Sequence, residues 1–157
     1  MKRQPTCICV NLRRASRALS AFYDEAMAPS GITVTQFSLL RAVEREQPVA
    51  ISALAADMEL DRTTLARNIA PLERAGLLAL APGEDQRVTE VRLTAAGSAT
   101  IRRASPLWEA VQRRIAAQLG DERIAQLREI GAAISVLSSA DESDSIRAKQ
   151  RRRRGSR

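Results

Sequence analysis

Apolar residues in this chain recur at helical spacing for most of its length. Over residues 9–28 they fall at Leu12, Ala15, Leu19, Phe22 and Ala26, alternating steps of three and four, which is the seam of a packed helix. Pro29-Ser30-Gly31 ends that helix. Thr33 with Gln36 is a capping-box signature for a second helix whose Phe37, Leu40 and Val43 face a core, and Gln47-Pro48 closes it. Residues 49–51 have the makings of a very short strand. Ser52 is predicted to cap a short helix over 53–58. Asp61 is predicted to cap the next, over 62–75, and Gly76 stops it. The period then changes to two over 77–81 and 88–93, with Pro82-Gly83-Glu84-Asp85 as the turn between two strands. Thr94 caps a long helix with Ile101, Ala104, Trp108, Val111, Ile115 and Leu119 on one face. Gly120 breaks it, and Asp121 caps a last helix with Ile124, Leu127, Gly131, Ile134 and Leu137. From Ser138 the chain is Ser/Asp/Glu-rich and then Arg-rich, a composition that predicts disorder.

The predicted fold class is mainly α: four helices, a hairpin, then two helices. Its centre, a short helix, a tight turn, a second helix stopped by glycine and a hairpin with a charged tip, has the grammar of a winged helix-turn-helix with a two-stranded β wing. That shape puts one helix in a DNA major groove and a ribbon beside it. The first helix and the last two carry apolar stripes too long for one small lobe to cover, so they are expected to bury them in each other and in a second subunit. The domain division that follows is an N-terminal dimerisation helix over 1–34, a DNA-binding lobe over 35–96, C-terminal dimerisation helices over 97–138 and a disordered basic tail over 139–157.

Composition narrows the functions available. Of 157 residues 45% are hydrophobic and only 3% aromatic, so aliphatic seams must carry the packing. The net charge of +7 is concentrated from Ile146 to Arg157, where Arg147, Lys149, Arg151, Arg152, Arg153, Arg154 and Arg157 stand without an acid; the other 18 basic residues balance the 18 acidic ones. Specific DNA contact must therefore come from placed charges rather than a basic field. There is no histidine, no zinc or metalloprotease signature and no phosphate-binding glycine loop, so an enzyme is not expected, nor a metal or other cofactor. No run is apolar enough to span a membrane and the start lacks a signal-peptide core, which predicts a cytoplasmic protein without membrane contact.

Four stretches together resemble the MarR family of bacterial transcription regulators over about residues 9–138: Gly31-Ile-Thr-Val-Thr-Gln-Phe-Ser-Leu-Leu40; Leu54-Ala-Ala-Asp57; Asp61-Arg-Thr-Thr-Leu65 through Leu72-Glu-Arg-Ala-Gly-Leu77; and Asp85-Gln-Arg-Val88 followed by Val91-Arg-Leu-Thr-Ala-Ala-Gly97. The resemblance implies a homodimer on a short near-palindromic operator in double-stranded DNA, most often a repressor released by a small molecule or an oxidant. It makes Arg62, Thr63, Thr64, Arg67 and Asn68 the exposed start of the recognition helix. It makes Asp85 and Arg87 the wing pair, with the arginine in the minor groove and the aspartate holding the wing. Gln86 departs from the arginine many members carry there, which implies one contact fewer per wing and a lower salt slope.

Each feature also has a plainer reading. Arg62 and Arg67 can be solvated helix arginines, although they lie about one turn apart at the groove-facing end. Arg74 reads better as a partner for the negative end of the helix dipole. Pro71 inside the recognition helix is either a tolerated kink or a device that aims residues 62–68. Tyr23, Phe37 and Trp108 are core aromatics first; the resemblance implies that effectors sit where the first, second and fifth helices meet, which would make these three a shared pocket for a small aromatic ligand. Cys7 and Cys9 are inert at a frayed helix start, or else the positive dipole end favours a thiolate. The resemblance places Cys9 where the family's organic-hydroperoxide sensors carry a reactive cysteine and Tyr23 where they carry the tyrosine that hydrogen-bonds it. A second such tyrosine is Arg13 here, and the distant resolving cysteine is missing. Cys7 is the remaining candidate, although a disulfide to the next-but-one residue is strained within one chain. The function expected is a sequence-specific, homodimeric transcription regulator; the rival is a dimeric winged-helix adaptor that binds proteins without an operator, and steep salt dependence separates the two.

Overall fold

In a computed structural model that describes residues 7–154, with side chains through Leu137, the helical seam of the sequence divides between core and surface. Helix α1 (Ile8–Met27) buries Tyr23 and Met27, while Leu12 and Leu19 stay exposed. A 3-10 turn (Ala28–Ser30) and Gly31, at φ 79° in the left-handed region, hand the chain to α2 (Val34–Glu46). The capping box at its start is real: Thr33 Oγ1 accepts the Gln36 N–H at 3.3 Å and Gln36 Oε1 accepts the Thr33 N–H at 2.9 Å. Asp24 of α1 adds a third bond, accepting the Val34 N–H at 2.7 Å and tying the two helices together.

β1 (Val49–Ala50) runs straight into α3 (Ile51–Asp57). Ser52 is therefore not the cap that the sequence predicts: Ala50 holds that position with no side-chain bond, because the last strand residue is already extended and turns directly into the helix. A turn through Glu59, at φ 52°, leads to α4 (Arg62–Arg74), and Gly76 at φ 68° ends it. β2 (Leu78–Pro82) and β3 (Thr89–Leu93) pair antiparallel in the register Leu78↔Leu93 to Pro82↔Thr89. β1 joins the outer edge of β3, so the two-stranded wing of the sequence reading is part of a three-stranded sheet in the order β1-β3-β2. The core of the lobe is Phe37, Leu39, Leu40, Val43, Leu54, Leu65, Ile69, Leu72, Leu78 and Val91, with Ile101 and Ala104 from α5 (Ala95–Leu119).

The compact unit that holds these elements reaches to Val111; a second begins at Gln112 and contains α6 (Asp121–Arg154). On α6 Leu127, Ile130, Ile134 and Leu137 are exposed. The sequence reading ends this helix near Leu137 and expects a tail without structure from 139, whereas the backbone is helical to Arg154. Ala, Gln, Lys and Arg, which recur over 147–154, are good helix formers. Residues 1–6 and 155–157, with Arg157 of the basic tail, lie outside the described residues.

Candidate nucleic-acid interface

Helix α4 is set in place by its cap and its rotation. Asp61 Oδ1 accepts the Thr64 N–H at 2.9 Å and its Oδ2 accepts the Thr64 hydroxyl at 2.6 Å, and these bonds hold the Asp61 carboxyl below its ordinary pKa. Leu65, Ile69 and Leu72 are buried, which fixes the face turned to the core. At about 100° per residue the opposite line carries Thr63 and Arg67, both exposed, with exposed Ala66 beside them and half-buried Ala70 following. Arg62 and Arg67, five residues apart, are separated by about 140° around the axis, so Arg62 lies on a flank rather than on that line. Asn68 is half-buried, about 100° beyond Arg67. Thr64 has its hydroxyl committed to the cap. Of the five residues that the resemblance points to, the fold brings Thr63 and Arg67 together, sets Arg62 and Asn68 to the sides and occupies Thr64.

The wing tip is held by its own aspartate. Asp85 Oδ1 accepts the backbone N–H of Arg87 at 3.0 Å, the Val88 N–H donates to the Asp85 carbonyl at 2.8 Å, and the Gly83 N–H donates to the Val88 carbonyl at 2.8 Å. Asp85, Gln86 and Arg87 are all exposed. Charge pairing separates the arginines of this lobe. Arg41 binds Glu44 at 2.6 Å, Arg45 binds Asp57 at 3.0 Å and Arg92 binds Glu90 at 3.3 Å. Among the described residues no carboxylate pairs with Arg62, Arg67 or Arg87. Cations left without an acid at a helix start and a hairpin tip are available to phosphates and base edges.

Bonds that periodicity did not reveal join helix, wing and α5. Gln47 lies opposite Leu93 in the β1–β3 register, and its side-chain Oε1 accepts the Leu93 N–H at 2.8 Å, continuing the edge where β1 has ended. Thr94 caps α5 by accepting the Gly97 N–H at 3.0 Å and donates its hydroxyl to the Gly76 carbonyl at 2.7 Å. Gly97 is buried against the Leu77 carbonyl so closely that a Cβ there would overlap it. The Leu-Thr-Ala-Ala-Gly stretch is thus a joint between the end of α4 and the start of α5. Partners 46 and 18 residues apart leave no local pattern to read.

The effector candidates separate. Phe37 and Trp108 meet with ring centroids 5.8 Å apart at 38°. They line a cavity of about 370 Å³ with Ser38, Arg41, Arg45, Ser105 and Glu109. Tyr23 does not line it; it is buried at 8% exposure, and burial pushes its phenol pKa up. Cys7, at the cap position of α1, and Cys9, in its first turn, are both free thiols and exposed. Cys9 and Tyr23 stand on the same helix about 21 Å apart along its axis, so a hydrogen bond between them within one protomer is excluded and only a second subunit could supply it. Among the described residues no group of His, Cys, Asp or Glu is placed to hold a metal, and no helix is long and apolar enough to cross a membrane.

A sequence model of the MarR family matches residues 30–87. The chain is similar to the transcriptional regulator MosR of M. tuberculosis, solved in complex with DNA, with 39% identity and a TM-score of 0.73, over 87% of this chain and 97% of that one. It shares the fold of the transcriptional repressor CouR bound to a 23-mer DNA duplex, at 24% identity, TM-score 0.73, and 82% and 92% coverage. It also shares the fold of the regulator PcaV from Streptomyces coelicolor in complex with its natural ligand, at 22% identity, TM-score 0.76, and 86% and 97% coverage. No curated protein matches the chain in sequence.

Proposed function

This chain belongs to the MarR family of transcription regulators, which are not enzymes, and from that premise we propose that it is a homodimeric repressor that acts in the cytoplasm on a near-palindromic operator. The observation that carries the reading is the pairing pattern of its arginines: Arg67 on the outward line of α4 and Arg87 at the wing tip have no acidic partner among the described residues, while Arg41, Arg45 and Arg92 do. Thr63 and Arg67 enter the major groove, Arg62 and Asn68 flank it, Asp61 with Thr64 holds the helix start, and Asp85 shapes the wing so that Arg87 reaches the adjacent minor groove. The experiment is selection of bound duplexes from a random pool, followed by affinity measurements on Arg67→Ala. Two-fold symmetry demands two related half-sites with centres about 10 bp, or a multiple of that, apart. Arg67→Ala should cost about 1–3 kcal/mol and relax preference at one base position per half-site. Asymmetric single half-sites bound by monomer would overturn the homodimer; no enriched duplex, with partner binding through apolar contact that is indifferent to salt, would overturn operator binding in favour of an adaptor.

Release is assigned to α1. This helix carries both exposed thiols at one end and anchors in the lobe through Tyr23 and Met27 at the other, so chemistry at its start is transmitted along a rigid element. The Cys9 sulfur attacks the terminal oxygen of an organic hydroperoxide; an S–O bond forms as the O–O bond breaks, leaving a sulfenic acid, and the alkoxide departs as the alcohol by taking up the proton that the thiol loses. A Cys7 thiol of the same or the second subunit then condenses with it, losing water and forming a disulfide. Operator binding before and after hydroperoxide, in wild type, Cys7→Ser and Cys9→Ser, is the check. Release should require Cys9. Wild type that stays bound under oxidant would instead assign release to a small aromatic ligand at the Phe37–Trp108 cavity.

A further inference from the structure

The outward face of α4 is chemically sparse. Thr64 is spent on Asp61, Asn68 is half-buried to one side, and Leu65, Ile69 and Leu72 face the core. In the first two turns that leaves Thr63 and Arg67 exposed on the outward line, exposed Ala66 beside them, and exposed Arg62 on the flank nearer the core. Arg67 is the long hydrogen-bonding side chain on the outward line. Ala66 is its neighbour, three residues from Thr63 on the same side of the helix, and presents a methyl group and nothing else. Because Ala66 is so short, the helix backbone can approach the groove floor at this point, and Ala70 one turn on does not oppose that approach. In the major groove, the base feature that answers an apolar methyl is the C5-methyl of thymine.

We propose that Ala66 is a specificity-determining residue that reads the 5-methyl group of a thymine next to, or next but one from, the guanine read by Arg67. The inference rests on the operator-binding reading above and adds the identity of a second base to it. Successive base pairs are about 3.4 Å apart and adjacent helix residues present their side chains within a turn of one another, so the two contacts fall within two base pairs. Arg67 selects guanine through the O6 and N7 acceptors, and Ala66 selects a methyl rather than a hydrogen-bonding group. Arg62, off the outward line, contributes a phosphate contact and no base preference.

The test uses the operator obtained by selection with the full-length protein. The base where Arg67→Ala relaxes preference marks the guanine. Each thymine of the half-site is then replaced singly by deoxyuridine, which keeps the pairing and removes the methyl. For wild type, one thymine within two base pairs of that guanine should be sensitive, with affinity falling about fourfold per half-site and about 15-fold when both half-sites are substituted, the effect of one buried methyl. In Ala66→Gly the difference between thymine and uracil at that position should vanish. Reading the ratio of two duplexes on one protein removes any general loss that the glycine causes. If an operator is selected but uracil is tolerated at every such position, or Ala66→Gly keeps the full discrimination, Ala66 is not the reader while operator binding stands. If no duplex is enriched, operator binding and the inference with it are both overturned.

Discussion

Thr94, Gly76, Leu77 and Gly97 form a joint, and Gly97 is the member least open to change. Its α-carbon lies against the Leu77 carbonyl, a backbone atom that cannot rotate away as a side chain would. Gly97→Ala should therefore destabilise the lobe by about 3 kcal/mol, the upper part of the range for forced overpacking, seen as a lowered midpoint in denaturant with an unchanged slope. Asp61 is a second residue with more than one role. Its folded-state pKa is depressed, chiefly by the Thr64 hydroxyl and then by the Thr64 N–H, so its ionised form contributes stability above the ordinary carboxylate pKa. That contribution is lost as pH falls through the depressed folded value. Asp61→Ala should lower the thermal midpoint at neutral pH, and the gap from wild type should close as the solution is acidified below that value; a gap independent of pH would sever the cap from the titration.

Among the elements, the division of labour is between α4 and the wing. The helix presents Thr63, Ala66 and Arg67 on a rigid scaffold, whereas the wing presents one unpaired cation on a hairpin shaped by Asp85. Arg87→Ala should weaken binding nearly uniformly across operator variants and reduce the slope of log affinity against log salt by about one per wing, leaving major-groove preference intact. A shift in base preference at the positions marked by Arg67 would show that wing and helix are not separable. Pro71 does not interrupt α4, which runs to Arg74 with the Ala75 N–H donating to the Pro71 carbonyl at 3.0 Å.

For the whole molecule the governing fact is exposed apolar surface. On α1 Ile8 is 76% exposed, and Val10, Leu12 and Leu19 accompany it; on α6 Val136 and Leu137 are 63% and 71% exposed. Side chains of this kind, repeated along helices, are what a subunit interface would bury, and they support the homodimer proposed above. Leu12→Asp and Leu127→Asp should each shift sedimentation toward monomer and weaken operator binding, whereas removal of residues 139–157 should leave dimer and operator choice intact. That truncation takes away seven cations, so nonspecific affinity and its salt slope should fall. A truncated protein unable to dimerise would make the helical continuation of α6 a structural part of the interface.

Local physics determined the elements. Caps such as Thr33 and Asp61, stops such as Gly76 and Gly120, and the apolar periods of α2 and α4 all act within a few residues, so they can be read along the chain, and the family resemblance of the Asp61–Leu65 and Asp85–Val88 stretches was legible with them. What a residue faces is a different matter, because it depends on which partner arrives from far along the chain. The sequence lists Thr64 and Arg67 alike, and only the cap geometry occupies one while leaving the other free. It brings Cys9 and Tyr23 to mind as a pair, and only the length of α1 separates them. It could not pair Gln47 with Leu93 or press Gly97 against Leu77, since these contacts form between segments that meet only after the lobe has closed around Leu40, Leu65 and Leu72. The sequence by itself determined the order and kind of the helices and strands; the tertiary structure decided which of their side chains are left to bind, because rotation about each helix is set by the core it packs against.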